Sequence, residues 1–217
     1  LEEYVGQAGS QAFLNALQNY PLLEGSKANL YKCFLPHAWR IASEQGVQGF
    51  LHPEGVYDDP KGGALREVLY GRLRNHFQFE NELILFPIGG TRRFAINIYG
   101  HPRQPSFIHL ANVFAPKVID SCFSHDGKGM VPGIKTEEGK WNTAGNRQRL
   151  IPVGEKALGL FAQLYDEPGT PARQARLPAL HSLQLFSTLE KLADHPHKAT
   201  LLEYDASVCW IEHQRQK

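Results

Sequence analysis

The chain has 217 residues, with 42% apolar and 21% charged side chains, proportions of an ordinary globular protein large enough for a sizeable core rather than of a disordered chain. No run approaches the ~20 consecutive apolar residues of a membrane span. Residues 1–4 lack a leader pattern, and Cys33, Cys122 and Cys209 are too few and scattered for a disulfide framework or zinc ribbon, so a cytoplasmic location is expected.

The net charge of +1 conceals an uneven distribution. Residues 1–60 carry three basic and seven acidic side chains, and residues 61–100 carry six basic and three acidic. The second stretch is either a local patch that meets phosphates or a solvated mixed-charge face.

In chain order, residues 29–45 are expected to be a helix, with Leu30, Phe34, Ala38 and Ile41 at helical spacing, Trp39 beside them and Gly46 as the stop. Pro36 predicts a kink or a late start. Residues 47–51 read as a short strand ended by His52-Pro53-Glu54-Gly55. Residues 62–74 form a second amphipathic helix, with Leu65, Val68, Leu69 and Leu73 on one face. Two strand-like runs follow, 77–86 and 93–99, joined by Pro87-Ile88-Gly89-Gly90-Thr91. In the second run, Phe94, Ile96 and Ile98 alternate with Ala95, Asn97 and Tyr99. This order is half of an open α/β sheet finished by an antiparallel hairpin, whose partner strands would precede residue 1. Residues 107–118 are mixed and apolar, 124–146 read as a long polar loop, and 153–165 and 181–192 look helical. The change in character places a soft boundary near residue 105, dividing 1–105 from 106–217.

The helix opening Asn29-Leu30-Tyr31-Lys32-Cys33-Phe34, followed by the strand Gly49-Phe50-Leu51-His52-Pro53, resembles the amino-methyltransferases that act on adenine in DNA. In that family an Asn-Leu-Tyr-x-x-Phe helix follows the catalytic Asn-Pro-Pro-Tyr loop, and the next strand ends in Pro. Leu85-Phe86-Pro87, ahead of Phe94-Ala95-Ile96-Asn97-Ile98, is similar to a later Phe-Pro turn before a strand. The string from His52 to Gly63 resembles the large single-chain enzymes that fuse restriction and modification, and the methylases of BREX phage-defence systems. The resemblance covers roughly residues 1–110 and rests on motif order and spacing.

It implies the distal half of a Rossmann-like catalytic domain that uses S-adenosylmethionine, followed by a mixed loop and helical extension leading toward target recognition. Double-stranded DNA and the remainder of the parent polypeptide would be its partners, with no membrane involved. Neither the Asn-Pro-Pro-Tyr loop nor a Gly-rich cofactor loop appears, and Asn19-Tyr20-Pro21-Leu22 does not match. The chain is therefore expected to be an internal segment, inactive alone and without a catalytic residue of its own.

By the same resemblance, Phe34 packs beside the cofactor's adenine with Leu30 one helical turn before it, and Phe86 covers the flipped target base on a loop shaped by Pro87. Lys61, Arg66, Arg92 and Arg93 are candidates for phosphate, one of the last two supporting the sheet instead. Each has a plainer reading: Leu30 and Phe34 as core of an amphipathic helix, Phe86 as an apolar strand end. Asp58 and Asp59 with Glu54 suggest a Mg²⁺ cluster, but no distant ligands are identifiable, and Asp58-Asp59-Pro60 also reads as a turn. Gly62-Gly63 lacks the following Lys-Ser/Thr of a phosphate loop, and His195-Pro196-His197 reads as a solvated turn. A module that holds DNA without chemistry is the alternative from a different functional class.

Overall fold

The computed structural model describes residues 2–26 and 29–196. Helices α1 (Glu2–Asn15) and α2 (Leu30–Ile41) precede strand β1 (Gln48–Pro53), the short α3 (Gly55–Asp58) and α4 (Gly63–Arg72). Strands β2 (Leu73–Glu80), β3 (Arg93–Tyr99) and β4 (Ser106–Val113) follow, then α5 (Lys117–Ser124), β5 (Ile151–Gly154), α6 (Glu155–Tyr165) and α7 (Leu183–Asp194). The architecture is α/β, a five-stranded mixed sheet in the order β1-β3-β2-β4-β5 with helices on its faces. No helix among the described residues is long and apolar enough to cross a membrane.

The expected antiparallel pair of β2 and β3 is present, with Phe79 opposite Phe94 and Phe77 opposite Ile96. β3 also pairs antiparallel with β1, so β1 and β2 run in the same direction on either side of it. β2 ends at Glu80, short of the expected Phe86, and residues 81–92 form a loop that starts with a 3₁₀ turn. On the far side, β4 joins β2 in parallel and β5 joins β4 antiparallel. Strands that follow residue 105 thus extend this edge of the sheet. The stacking of Tyr70 on Phe107, with centroids 5.7 Å apart, shows the larger core continuing across that point.

The two faces of the sheet differ in chemistry. One packs α2, α3, α4 and α6 around Leu65, Leu69, Tyr70, Tyr99 and Leu158. The other buries Phe77, Phe79, Phe94, Leu110 and Val113 under Val118 and Cys122 of α5. The face expected for α4 holds for Leu65 and Leu69, both buried, with Val68 packed against them, whereas Leu73, expected on the same helix face, is buried as the first residue of β2. α2 differs in two respects. It begins at Leu30 and carries Pro36 inside, forgoing the hydrogen bond that proline cannot donate. Its core face is Cys33, Leu35 and Trp39, whereas Leu30, Phe34 and Ile41 point outward.

β4 contains a bulge: Phe77 faces Leu110, but Phe79 faces Val113, giving β4 one extra residue. Asn112 takes a left-handed conformation there (φ 56°). Arg149, 1% exposed, donates to the Ala111 and Asn112 carbonyls at 2.9 and 3.0 Å. A buried guanidinium thus satisfies carbonyl groups at the irregular end of the strand.

Candidate functional site

The carboxyl ends of β1 and β2 and the amino end of β3 share one edge of the sheet, the kind of edge at which open α/β sheets bind ligands. A cavity of about 780 Å³ opens there. One wall is the end of β1 and the turn after it, with His52, Glu54 and Asp58; the other is the 81–92 loop and the start of β3, with Phe86, Pro87, Arg92 and Arg93.

Asn81 organises the loop. Its amide donates to the carbonyls of Phe86 and Ile88, both at 2.9 Å, and its side-chain oxygen accepts from the Phe86 N–H at 3.0 Å. Phe86 is thereby held half-exposed, edge-on to Phe94 with centroids 5.0 Å apart, and Phe94 in turn stacks on Phe79. The arginines divide. Arg93 pairs with Glu80 at 3.3 Å, whereas Arg92 is exposed and its side chain has no hydrogen-bond or ion-pair partner among the described residues.

Two of the residues expected to meet phosphate lie away from this cavity. Arg66 is 1% exposed and donates to the Gln174 carbonyl at 2.9 Å, Val56 at 3.2 Å and Asp59 at 2.6 Å. Its guanidinium is a clamp between α3, α4 and the 172–174 turn, closed to DNA. Lys61 is exposed beyond the lining, and its backbone N–H caps Asp59 at 3.0 Å.

A second cavity of about 530 Å³ adjoins the first, sharing Pro53, Gly55 and Asp58 and adding Asn29, Tyr31, Lys32 and Asp59. Lys32, almost entirely buried, pairs with Asp59 at 2.8 Å. Burial raises Asp59, but Lys32 and the Lys61 N–H outweigh it and leave the carboxyl below its ordinary value. Burial, followed by the charges of Glu54 and Asp59, pushes the Tyr31 phenol up to about 12. Leu30 and Phe34 are 56% and 58% exposed on the outer face of α2 and line neither cavity, so they are not core residues of this chain.

Behind the first cavity lies a polar chain that the sequence did not announce. Glu54 accepts from His76 Nε2 at 3.1 Å and from Gln78 Nε2 at 2.9 Å. His76 Nδ1 lies 2.8 Å from His109 Nδ1 across the parallel β2–β4 pair, a contact that holds a single proton between the rings. All four side chains are at most 4% exposed. Burial would raise the Glu54 carboxyl, but His76, as charge and as donor, and then Gln78 and His52 outweigh it and hold the carboxyl below its ordinary value. Burial, then His76, pushes His109 well below the usual imidazole range; the Pro178 carbonyl opposes this from a geometry too poor for a formed hydrogen bond. Beside the chain, His52 Nε2 meets the Tyr99 hydroxyl at 3.0 Å, and the Tyr57 hydroxyl donates to Asn97 Oδ1 at 2.5 Å.

Among the described residues, no group of three or more His, Cys, Asp or Glu side chains is placed to hold a metal ion, so Asp58 and Asp59 acquire no further ligands for Mg²⁺. His197 and Cys209 lie outside the described residues. No family model and no curated protein matches the chain.

Proposed function

We propose that the chain is part of a site-specific DNA adenine-N6 methyltransferase of a restriction-modification or phage-defence system, contributing the pocket for the target base. One observation supports this above the others: residues from two of the strings singled out by resemblance, His52 to Gly63 and Leu85-Phe86-Pro87, line opposite walls of one cavity. A base must leave the duplex to react, at a cost of a few kcal/mol. Stacking on an aromatic side chain returns ~1–3 kcal/mol, and Phe86 is the half-exposed ring positioned for it. Arg92, without an acidic partner, is the phosphate contact, and Arg93, tied to Glu80, braces β3.

S-adenosylmethionine, when bound, supplies the methyl group on a sulfonium. The exposed pair Leu30 and Phe34, one helical turn apart, fits a single apolar wall for its adenine ring. On this reading the other contacts and the catalytic loop come from elsewhere in the parent polypeptide.

The test measures transfer of labelled methyl groups to duplex DNA by the parent polypeptide. Incorporation at adenine N6 is expected. Phe86→Ala should lower methylation of paired adenine about tenfold while changing DNA affinity far less. Arg92→Gln should weaken binding to all sequences alike and reduce the salt slope by about one unit, whereas Arg93→Gln should leave that slope unchanged. A folded parent that binds DNA but transfers no methyl group would favour the non-catalytic DNA-holding module.

A further inference from the structure

We propose that Asp58 reads the exocyclic amine of the base held in the first cavity, its carboxylate accepting a hydrogen bond from the amine N–H; this rests on the base-pocket reading above. Three observations converge on Asp58. It belongs to the lining of both cavities, so it stands on the ridge between the Phe86 side and the α2 side. Only two carboxylates line the first cavity, and Glu54 has both oxygens engaged by His76 and Gln78. Asp58 is exposed and its side chain has no hydrogen-bond partner among the described residues.

The chemistry follows from the acceptor. An ionised carboxylate accepts hydrogen bonds and cannot donate. It therefore favours a ring edge bearing an amine and opposes one bearing a carbonyl oxygen at the same place. Partial desolvation at the cavity wall, then the Glu54 charge, raises the Asp58 carboxyl, with Arg93 and then His76 opposing them. An N–H donated to Asp58 would relieve part of that strain by favouring the charged form. A base stacked on Phe86 with its amine on Asp58 presents that nitrogen at the passage toward α2. Phe86 supplies affinity without reading the ring edge, and Asp58 supplies the discrimination.

The experiment titrates the full chain with dAMP and with the 5′-monophosphate of 2′-deoxypurine riboside, which has the same ring without the amine, following backbone amide resonances around the cavity. Wild type should bind dAMP about tenfold or more tighter than the amine-free analogue, the ratio expected for one hydrogen bond to a charged group. Asp58→Ala should bring that ratio close to one, and Asp58→Asn, which keeps a neutral acceptor, should fall between. Phe86→Ala should weaken both ligands. Equal affinity of the two nucleotides in wild type, with Phe86→Ala weakening both, would overturn the role of Asp58 and leave the base pocket standing. If neither nucleotide perturbs the cavity resonances, or Phe86→Ala changes nothing, the base-pocket reading falls and takes this assignment with it.

Discussion

Acidification should destabilise this chain before its carboxylates titrate, because imidazoles are buried in the neutral form within the fold. His109 is completely buried, and burial, then His76, holds its folded-state pKa well below the ordinary value. A base with a depressed folded pKa contributes stability above its unfolded pKa, and that stability drains away as pH falls below it. The unfolded value is ~6.5. At pH 5.5 the unfolded state gains RT ln 11, about 1.4 kcal/mol, from protonating this one ring, against less than about 0.1 kcal/mol at pH 7.5. His52 and His181 are lowered as well, chiefly by burial, and add in the same direction. Glu54, whose carboxyl is lowered, keeps its contribution throughout this interval and loses it only as pH falls below the ordinary carboxylate range. Urea unfolding followed by tryptophan fluorescence at the two pH values measures the difference. Wild type should lose at least about 1.3 kcal/mol between them, and His109→Gln, if folded, should lose less by about that amount. A folded His109→Gln with the full wild-type pH dependence, or a wild type as stable at pH 5.5 as at 7.5, would refute the reasoning.

Other perturbations test other parts of the fold. Arg66→Lys should destabilise by about 2 kcal/mol or more, because an ammonium cannot serve the Gln174, Val56 and Asp59 carbonyls together; urea midpoints measure it. Glu54→Gln should cost roughly 3 kcal/mol by leaving His76 without its anion. The double variant with His76→Gln should cost less than the sum of the single changes, and strict additivity in the double-mutant cycle would remove the pair. Gly145→Ala should lower the melting temperature by several degrees, since a Cβ there would lie 2.4 Å from Ser121 Cβ and 2.6 Å from the backbone nitrogen of Cys122 in α5. Calorimetry showing an unchanged transition would mean that α5 yields freely.

The regular elements were legible where local pattern and packing agree. α4 and the β2–β3 pairing follow from their apolar spacing and are present, although β2 spans Leu73–Glu80 rather than 77–86. The errors arise where burial depends on remote partners. In α2 the stripe Leu30, Phe34, Ile41 has helical period and yet faces outward, because Trp39 and Cys33 fill the space against the core instead. In β3 the alternation alone does not say which face is inner: Asn97 and Tyr99 are fully buried while Ile96 and Ile98 on the opposite face are only partly so. Polar side chains can occupy that interior because Tyr57, His52 and Glu54 answer them, and these partners are far away in sequence. Arg66 shows the same limit: a basic residue on a helix reads as a phosphate contact until three carbonyls from two separate segments close around it. For the site, the strings at Glu54 and Phe86 could be found in the sequence, but their meeting across one cavity depends on β3 returning between β1 and β2.

That return also sets a timetable. Among the described strands, β1 pairs only with β3, so its backbone donors and acceptors cannot enter this sheet until Tyr99, 46 residues after Pro53, has been synthesised. At 5–20 residues per second, the wait is roughly 2–9 s, long compared with the microseconds of hairpin formation. A strand left open for so long is a site for wrong partners. β1 is short, with a glycine at its second position and a proline at its last, features that give a passing edge little to hold. Slower translation between residues 53 and 99 would lengthen that exposure, whereas slowing after Tyr99 would not.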